Sequence, residues 1–305
     1  DKMVFHKIED IIEKARSLDH PRRVAVAQAE HDHVIEAVLR AKKDGFVDPI
    51  LLGRKEPIKA LVEQFGGDIP DEQYIDIPSD DPNEIAAATI EVVKEGKADF
   101  IMKGKLNTAE ILRAVLNKER GLEHGKLITQ FSFAQIPGYP KLVVLNDAAI
   151  TPYPTLEQKA EQIMLVSRTL RDIGYDQEIY VAALCAAENL NPKIIESSEA
   201  KLLKDMCQKG AFPGVYVEGP ISLDITLDAE VARLKGFESP VAGNADVLLF
   251  PNMVAGNLAS KMLTIVGGGV SVGMVIGAGV PISLTSRAAT ADAKYSSLAL
   301  AATAV

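Results

Sequence analysis

Between Gly243 and Asp292 the chain strings together hydroxyls, amides, cations and glycines, each near the end of an apolar run. Val247 to Phe250 stops at Pro251, and a polar turn from Asn252 to Asn257 leads into a helical segment carrying Lys261. Lys261 stands one helical turn beyond Asn257, so the two share a face. The triplet Gly267 to Gly269, centred on Gly268, leaves backbone N–H groups open to close approach. A second apolar run, Val270 to Ile276, and a third, Val280 to Leu284, follow; the third ends in Thr285-Ser286-Arg287. A guanidinium grips phosphate through paired hydrogen bonds, and a neighbouring hydroxyl adds a donor. Ligands of open α/β sheets bind at the carboxyl ends of strands, and backbone N–H groups there suit anions. The stretch therefore predicts a site for a phosphorylated ligand.

Three other segments carry similar groups. After Met102 comes KGKLNTAE, where Gly104 allows a tight turn and Asn107 or Thr108 caps the next helix. With Lys103 and Lys105 alongside, that helix start would hold a phosphate; it also reads as a plain cap with solvated lysines. Asp147, in NDAAITPYP, is placed to bind a substrate or to orient a cation, or simply to cap a turn. Gly219-Pro220, after Glu218, ends a strand and either lines a site or turns the chain, and Glu188-Asn189 carries the same ambiguity.

The elements that must position these groups repeat as strand, polar turn and helix. Strands are predicted at 22–27, 48–52, 74–77 and 100–102, with helices at 34–43, 56–65, 83–95 and 109–117. Such alternation gives parallel βαβ units. After residue 120 the register changes: 127–133 and 141–144 read as an antiparallel pair. Thr155 caps a long helix over 156–172, and helices follow at 197–209, 226–235 and 292–302 around strands at 178–184 and 215–218. With 305 residues, two α/β domains are expected. The first covers 1–140 with 274–305 and the second covers 141–273.

Composition excludes several classes. A net charge of −9 argues against a nucleic-acid or anionic-membrane surface. Local cations still serve a small anion, because distant surface acids are screened over roughly 10 Å. No apolar run reaches the ~20 residues of a membrane helix, and the charged, helix-patterned N-terminal segment resembles no signal peptide. The two cysteines, Cys185 and Cys207, form no CxxC, which fits a reducing, cytoplasmic setting. His6, His20, His31, His33 and His124 are not spaced for a metal. Nucleotide P-loop, GxGxxG, GxSxG and HExxH patterns are absent.

ADVLLFPNMVAGNLASKM…GGGVSVGMVIGAGVPISLTSRA resembles the signature of the phosphate acetyl/butyryltransferases. The shared positions are Pro251, Gly256, Asn257, Lys261, Ser286 and Arg287. KGKLNTAEILRAVL, at Lys103 to Thr108, resembles that family's substrate-binding turn. DAAITPYPT, at Asp147, Pro152, Pro154 and Thr155, resembles its central element, and VEGPISLD, with Gly219, Pro220 and Asp224, fits as well.

The resemblance implies an isocitrate/isopropylmalate dehydrogenase-like fold: two α/β domains, mixed but mostly parallel sheets, and an active-site cleft between them. It implies conversion of acyl-CoA and phosphate to acyl phosphate and CoA by direct transfer in a ternary complex. Coenzyme A is then a substrate, no group is bound covalently, no metal is required, and the assembly is a homodimer or higher homo-oligomer. Arg287 and Ser286 carry the charge of transfer, and Lys103, Gly104, Asn107 and Thr108 hold phosphate. Asp147, Gly219, Pro220, Asn252, Asn257, Lys261 and Gly268 contact substrate. The similarity is to the butyryl branch, through LCAAENLNPKIIESSEA and TSRAATADAKYSSLALA. The acetyl branch carries an acid a few residues after its S-R as a proposed base; here Asp292, one position off with Ala293 in its place, is the acid the resemblance implies for catalysis beside Ser286 and Arg287. Two alternatives remain at this point, an acetyl-CoA enzyme and a non-catalytic acyl-CoA-binding protein of the same fold. A metal-dependent dehydrogenase lacks its paired aspartates and its nucleotide loop.

Overall fold

A computed structural model describes residues 2–122 and 127–305; His124 lies outside the described residues. In chain order the first elements are α1 (Ile8–Arg16), β1 (Arg22–Ala27), α2 (Asp32–Lys43), β2 (Val47–Gly53), α3 (Lys55–Gln64) and β3 (Tyr74–Asp76). Then come α4 (Pro82–Lys94), β4 (Phe100–Lys103), α5 (Thr108–Val115), β5 (Thr129–Gln135), β6 (Val143–Asn146), α6 (Leu156–Ile173) and β7 (Ile179–Leu184). The rest are α7 (Ile195–Gln208), β8 (Val215–Ile221), α8 (Leu223–Leu227), α9 (Ala229–Leu234), β9 (Val247–Leu249) and α10 (Met253–Lys261). A π-helical turn (Met262–Val266), β10 (Val270–Ile276), β11 (Ile282–Ser283) and α11 (Ala291–Thr303) complete the chain.

Local chemistry sets the boundaries. Asp81 accepts from the Asn83 N–H with Pro82 in the first turn of α4, where the missing proline N–H is no loss. Thr155 and Gln158 form a reciprocal capping box on α6, and Gly174 ends that helix at φ +123°. The expected helix over 226–235 is two short ones. Asp228 closes α8, and its carboxylate accepts from the Glu230 N–H to start α9.

Two compact units result. One holds Glu9–Lys126 and Val272–Val305. Its strands lie in the order β3-β2-β1-β4-β11-β10, parallel except for the β10/β11 pair. The apolar strands β1 and β4 are buried between helices, as parallel sheets require. Apolar and small residues surround α11 on all sides, and it is buried from Lys294 almost to its end.

The other unit holds Asp1–Ile8 and Leu127–Ser271, with strand order β5-β6-β9-β7-β8. Here β5 and β6 are antiparallel and the remaining pairs parallel. The unit begins at Leu127, so β5 and β6 pair inside it and the chain does not divide at residue 140. Its core runs from Val143 and Leu145 through Leu184 and Ile225 to Phe250.

Candidate active site

In the unit built on β1, β4 and β11, three parallel strand ends lie side by side. Ala27 is in register with Lys103, and Met102 with Ser283. Lys103 thus ends β4 beside the last residue of β1, while β11 continues into Thr285-Ser286-Arg287. Gly104 permits this arrangement by close approach. A Cβ there would meet the Gln28 carbonyl oxygen at 2.2 Å and that of Ala27 at 2.4 Å. Its N–H donates to Ala27 O (2.8 Å) and the Lys105 N–H to Gln28 O (2.7 Å).

Lys103 is 2% exposed. Its Nζ donates to the carbonyls of Leu106 (3.0 Å) and Gly104 (3.3 Å). Burial pulls its pKa down to about 8, and Lys294 and Arg287 push the same way, with Glu110 opposing. Lys294, on α11, is also 2% exposed and donates to Thr285 Oγ1 (2.8 Å) and Ser286 O (3.3 Å). Burial lowers its pKa too. Ser286 and Arg287 are exposed.

His31 caps α2, with its Nδ1 accepting from the His33 N–H (3.1 Å). The neutral ring therefore carries its proton on Nε2. Burial first, then Lys294, His33 and Lys103, hold its pKa below the usual imidazole range. His33 Nδ1 donates to Ala289 O (3.2 Å), tying α2 to the turn after Arg287. Asn107 caps α5 in a capping box with Glu110, whose carboxylate accepts from the Asn107 N–H and holds its side-chain amide at 3.3 Å. Thr108 opens the helix. Asp292 sits in the first turn of α11, 85% exposed, in an ion pair with Arg40. The Arg40 guanidinium in turn lies over the Tyr295 ring at 3.9 Å. Asp292 has the position of an ordinary helix-start acid.

In the other unit, Asp147 is an anchor. It is 2% exposed and accepts from Thr129 Oγ1 (2.7 Å) and from the N–H groups of Gln130, Ala149, Ile150 and Thr151 at 2.8–3.2 Å. A carboxylate so fully bonded fixes the 146–151 loop and has little capacity left for a ligand. Asn252 caps α10 through the Ala255 N–H (2.9 Å), and Asn257 donates to Ala148 O (3.2 Å). Between them Gly256 lets α10 touch the Asp147 loop; a Cβ there would meet Asp147 O at 2.4 Å. The G-N pair of the motif is thus explained by packing. Lys261 is exposed at the end of α10. Gly268, at φ +74°, belongs to the turn that stops the π-helical segment.

Gly219 and Pro220 lie within β8, buried, and do not follow it. A Cβ on Gly219 would meet Ala183 Cβ and Ala200 O at 2.8 Å, so this glycine serves the packing of α7 on the sheet.

Lys103, Ser286 and Arg287 are therefore brought to adjoining strand ends, whereas Asp147, Gly219 and Pro220 are structural. Lys294 and His31 join the site without having been marked by the sequence. The signal for Lys294 was faint: the one basic residue of a helix rich in alanine and leucine. Lys103, Lys294 and Arg287 have no ion-paired carboxylate among the described residues, a charge arrangement suited to a small anion. Among the described residues no group of three His, Cys, Asp or Glu is arranged to hold a metal.

Residues 77–302 match the family described as Phosphate acetyl/butaryl transferase. A phosphate acetyltransferase of Thermotoga maritima is 37% identical over 295 residues, 97% of this chain and 98% of that protein. A phosphate butyryltransferase of Clostridium acetobutylicum is 38% identical over 299 residues, 98% of each. Among solved structures, a branched-chain phosphotransacylase from Enterococcus faecalis V583 superposes with a TM-score of 0.77 at 26% identity, covering 92% of this chain and 97% of that one. With Lys103 and the Ser286-Arg287 pair inside the matched span, the chain belongs to the phosphate acetyl/butyryltransferase family.

Proposed function

We propose that this protein transfers a short acyl group between coenzyme A and inorganic phosphate, forming acyl phosphate and free CoA. The observation that carries this reading is the juxtaposition of buried, carboxylate-free Lys103 with Ser286 and Arg287 at neighbouring strand ends. A phosphate oxygen attacks the thioester carbonyl, the C–O bond forms, the C–S bond breaks and CoA leaves as thiolate. Lys103 and Arg287 neutralise the phosphate, and the Ser286 hydroxyl donates to charge developing at the reacting centre. The Lys103 ammonium is held by the Leu106 and Gly104 carbonyls before substrate arrives, and such preorganisation is where electrostatic catalysis gains most.

A butyryl or branched chain is favoured over acetyl. A pocket of about 380 Å³ lies at the ends of β7 and β9, lined by Leu184, Ala186, Ile194, Phe250, Ala255 and Ala259 among others. Its apolar walls suit a hydrocarbon chain longer than two carbons. Rates of phosphate-dependent CoA release from acetyl-, butyryl- and isobutyryl-CoA test both points. Higher kcat/KM on the four-carbon substrates is expected, and a strong preference for acetyl-CoA would overturn the chain-length reading.

The working form is a homodimer in the cytoplasm. Val254, Leu258, Met262, Ile265 and Val266 expose a face that is 47–77% accessible residue by residue. Lys261 is the only charge from Met253 to Gly269. Such a charge-poor face is compatible with its own copy across a two-fold axis. Two unpaired cysteines suit a reducing compartment. Leu258→Glu is expected to convert a dimer to a monomer in sedimentation; a wild-type monomer contradicts this part.

A further inference from the structure

Among the described residues three lysines are buried to 4% exposure or less. Lys159 is neutralised by Glu199 at 2.6 Å. Lys103 and Lys294 donate only to carbonyl and hydroxyl oxygens. An ammonium has three donors, and each of these two has partners for only two of them. Burying a charge without a counter-ion is unfavourable, and two such charges near each other more so. The arrangement makes sense when an anion joins them. Lys294 also grips the turn leading to Arg287, through Thr285 Oγ1 and Ser286 O.

We infer that Lys294 is a phosphate-binding residue of this site, directing its remaining N–H at an oxyanion shared with Lys103 and Arg287 while fixing the Thr285-Ser286 turn beneath it. The inference rests on the reading of the site as one for inorganic phosphate and adds a cation that the motif does not contain.

The experiment compares wild-type protein with Lys294→Met and Lys294→Gln by thermal melting, in potassium phosphate and in potassium chloride of equal ionic strength. Lys294→Met removes an uncompensated buried charge, so without phosphate it is expected to melt at or above the wild type. Both variants are expected to lose most of the phosphate-induced rise in Tm. Steady-state assays should show KM for phosphate raised about tenfold or more, with KM for acyl-CoA within about twofold. Lys294→Gln guards against misfolding of the Met variant, because it keeps a donor for Ser286 O. A phosphate-induced rise equal to that of wild type in a folded variant overturns the inference, as does an unchanged phosphate KM. If wild-type protein releases no CoA from any acyl-CoA yet binds phosphate through Lys294, the proposed reaction fails and the phosphate site stands.

Discussion

Lys103 and Lys294 lie close enough to repel each other yet hold different turns: Lys103, at the end of β4, donates to the Gly104 and Leu106 carbonyls, and Lys294, on α11, to Thr285 Oγ1 and Ser286 O. Each is 2% exposed, and neither forms an ion pair among the described residues. Arg287, exposed and likewise unpaired, lies close enough to help depress the Lys103 pKa. Two buried ammonium groups without a carboxylate partner are under electrostatic load, which the proposed phosphate would relieve.

That load has a pH signature. The folded-state pKa of Lys103 is about 8 against its usual 10.5, through burial, Lys294 and Arg287, with Glu110 opposing. Between these values the unfolded chain binds a proton that the folded chain has released. Stability without phosphate therefore rises with pH across that window. Phosphate favours the charged lysine, so the stabilisation it brings shrinks above pH 8. The check is Tm from pH 7 to 10 with and without phosphate, taken as the difference between wild type and Lys103→Met. A phosphate effect still undiminished at pH 9.5 would contradict it.

Arg287→Ala is expected to lower kcat/KM for phosphate-dependent CoA release by about 10²–10³-fold, the scale of losing one charged stabiliser of a transition state. Arg287→Lys should recover part of this, since it restores charge without the paired geometry. Near-normal turnover in Arg287→Ala would remove Arg287 from the reaction.

Asp147→Ala should act on stability. It strips the acceptor from Thr129 and from the Gln130, Ala149, Ile150 and Thr151 N–H groups. A loss of at least about 3 kcal/mol in denaturant unfolding is expected from several buried donors left unpaired. Asp292→Ala should do little to either quantity: an exposed pair with Arg40 contributes about 1 kcal/mol or less. Turnover in Asp292→Ala that falls a hundredfold would restore it as a catalytic base.

Ala259→Phe narrows the apolar pocket at the ends of β7 and β9. The expected outcome is a drop in kcat/KM on butyryl-CoA of about tenfold, with acetyl-CoA changed less than about twofold. Equal losses on both substrates would assign the pocket to another part of CoA, and no change would take it out of the site.

The βα order, the antiparallel β5/β6 pair and most helix limits were legible in the sequence, because periodicity, caps and glycine stops all act locally. The placing of Lys103 and Arg287 at strand ends was legible because they follow apolar runs; their roles in binding remain the proposal. Lys294 was not legible: in a helix rich in alanine and leucine, a lysine gives no sign that its head meets a turn reached by a different strand. Asp147 misled for the converse reason. A motif acid and a loop-anchoring acid look alike until the N–H groups folded around it are seen. At Gly219, expected to contact substrate, packing already demands glycine, and the same holds at the motif glycine Gly256.

Phosphate-dependent acyl transfer is tested most directly with butyryl-CoA. Butyryl-CoA is incubated with the protein over a phosphate series, free CoA is read with a thiol reagent, and acyl phosphate is trapped as the hydroxamate. Saturable CoA release that requires phosphate, with one hydroxamate per CoA, is the predicted result. CoA release at the same rate without phosphate, or release with no hydroxamate, would contradict it.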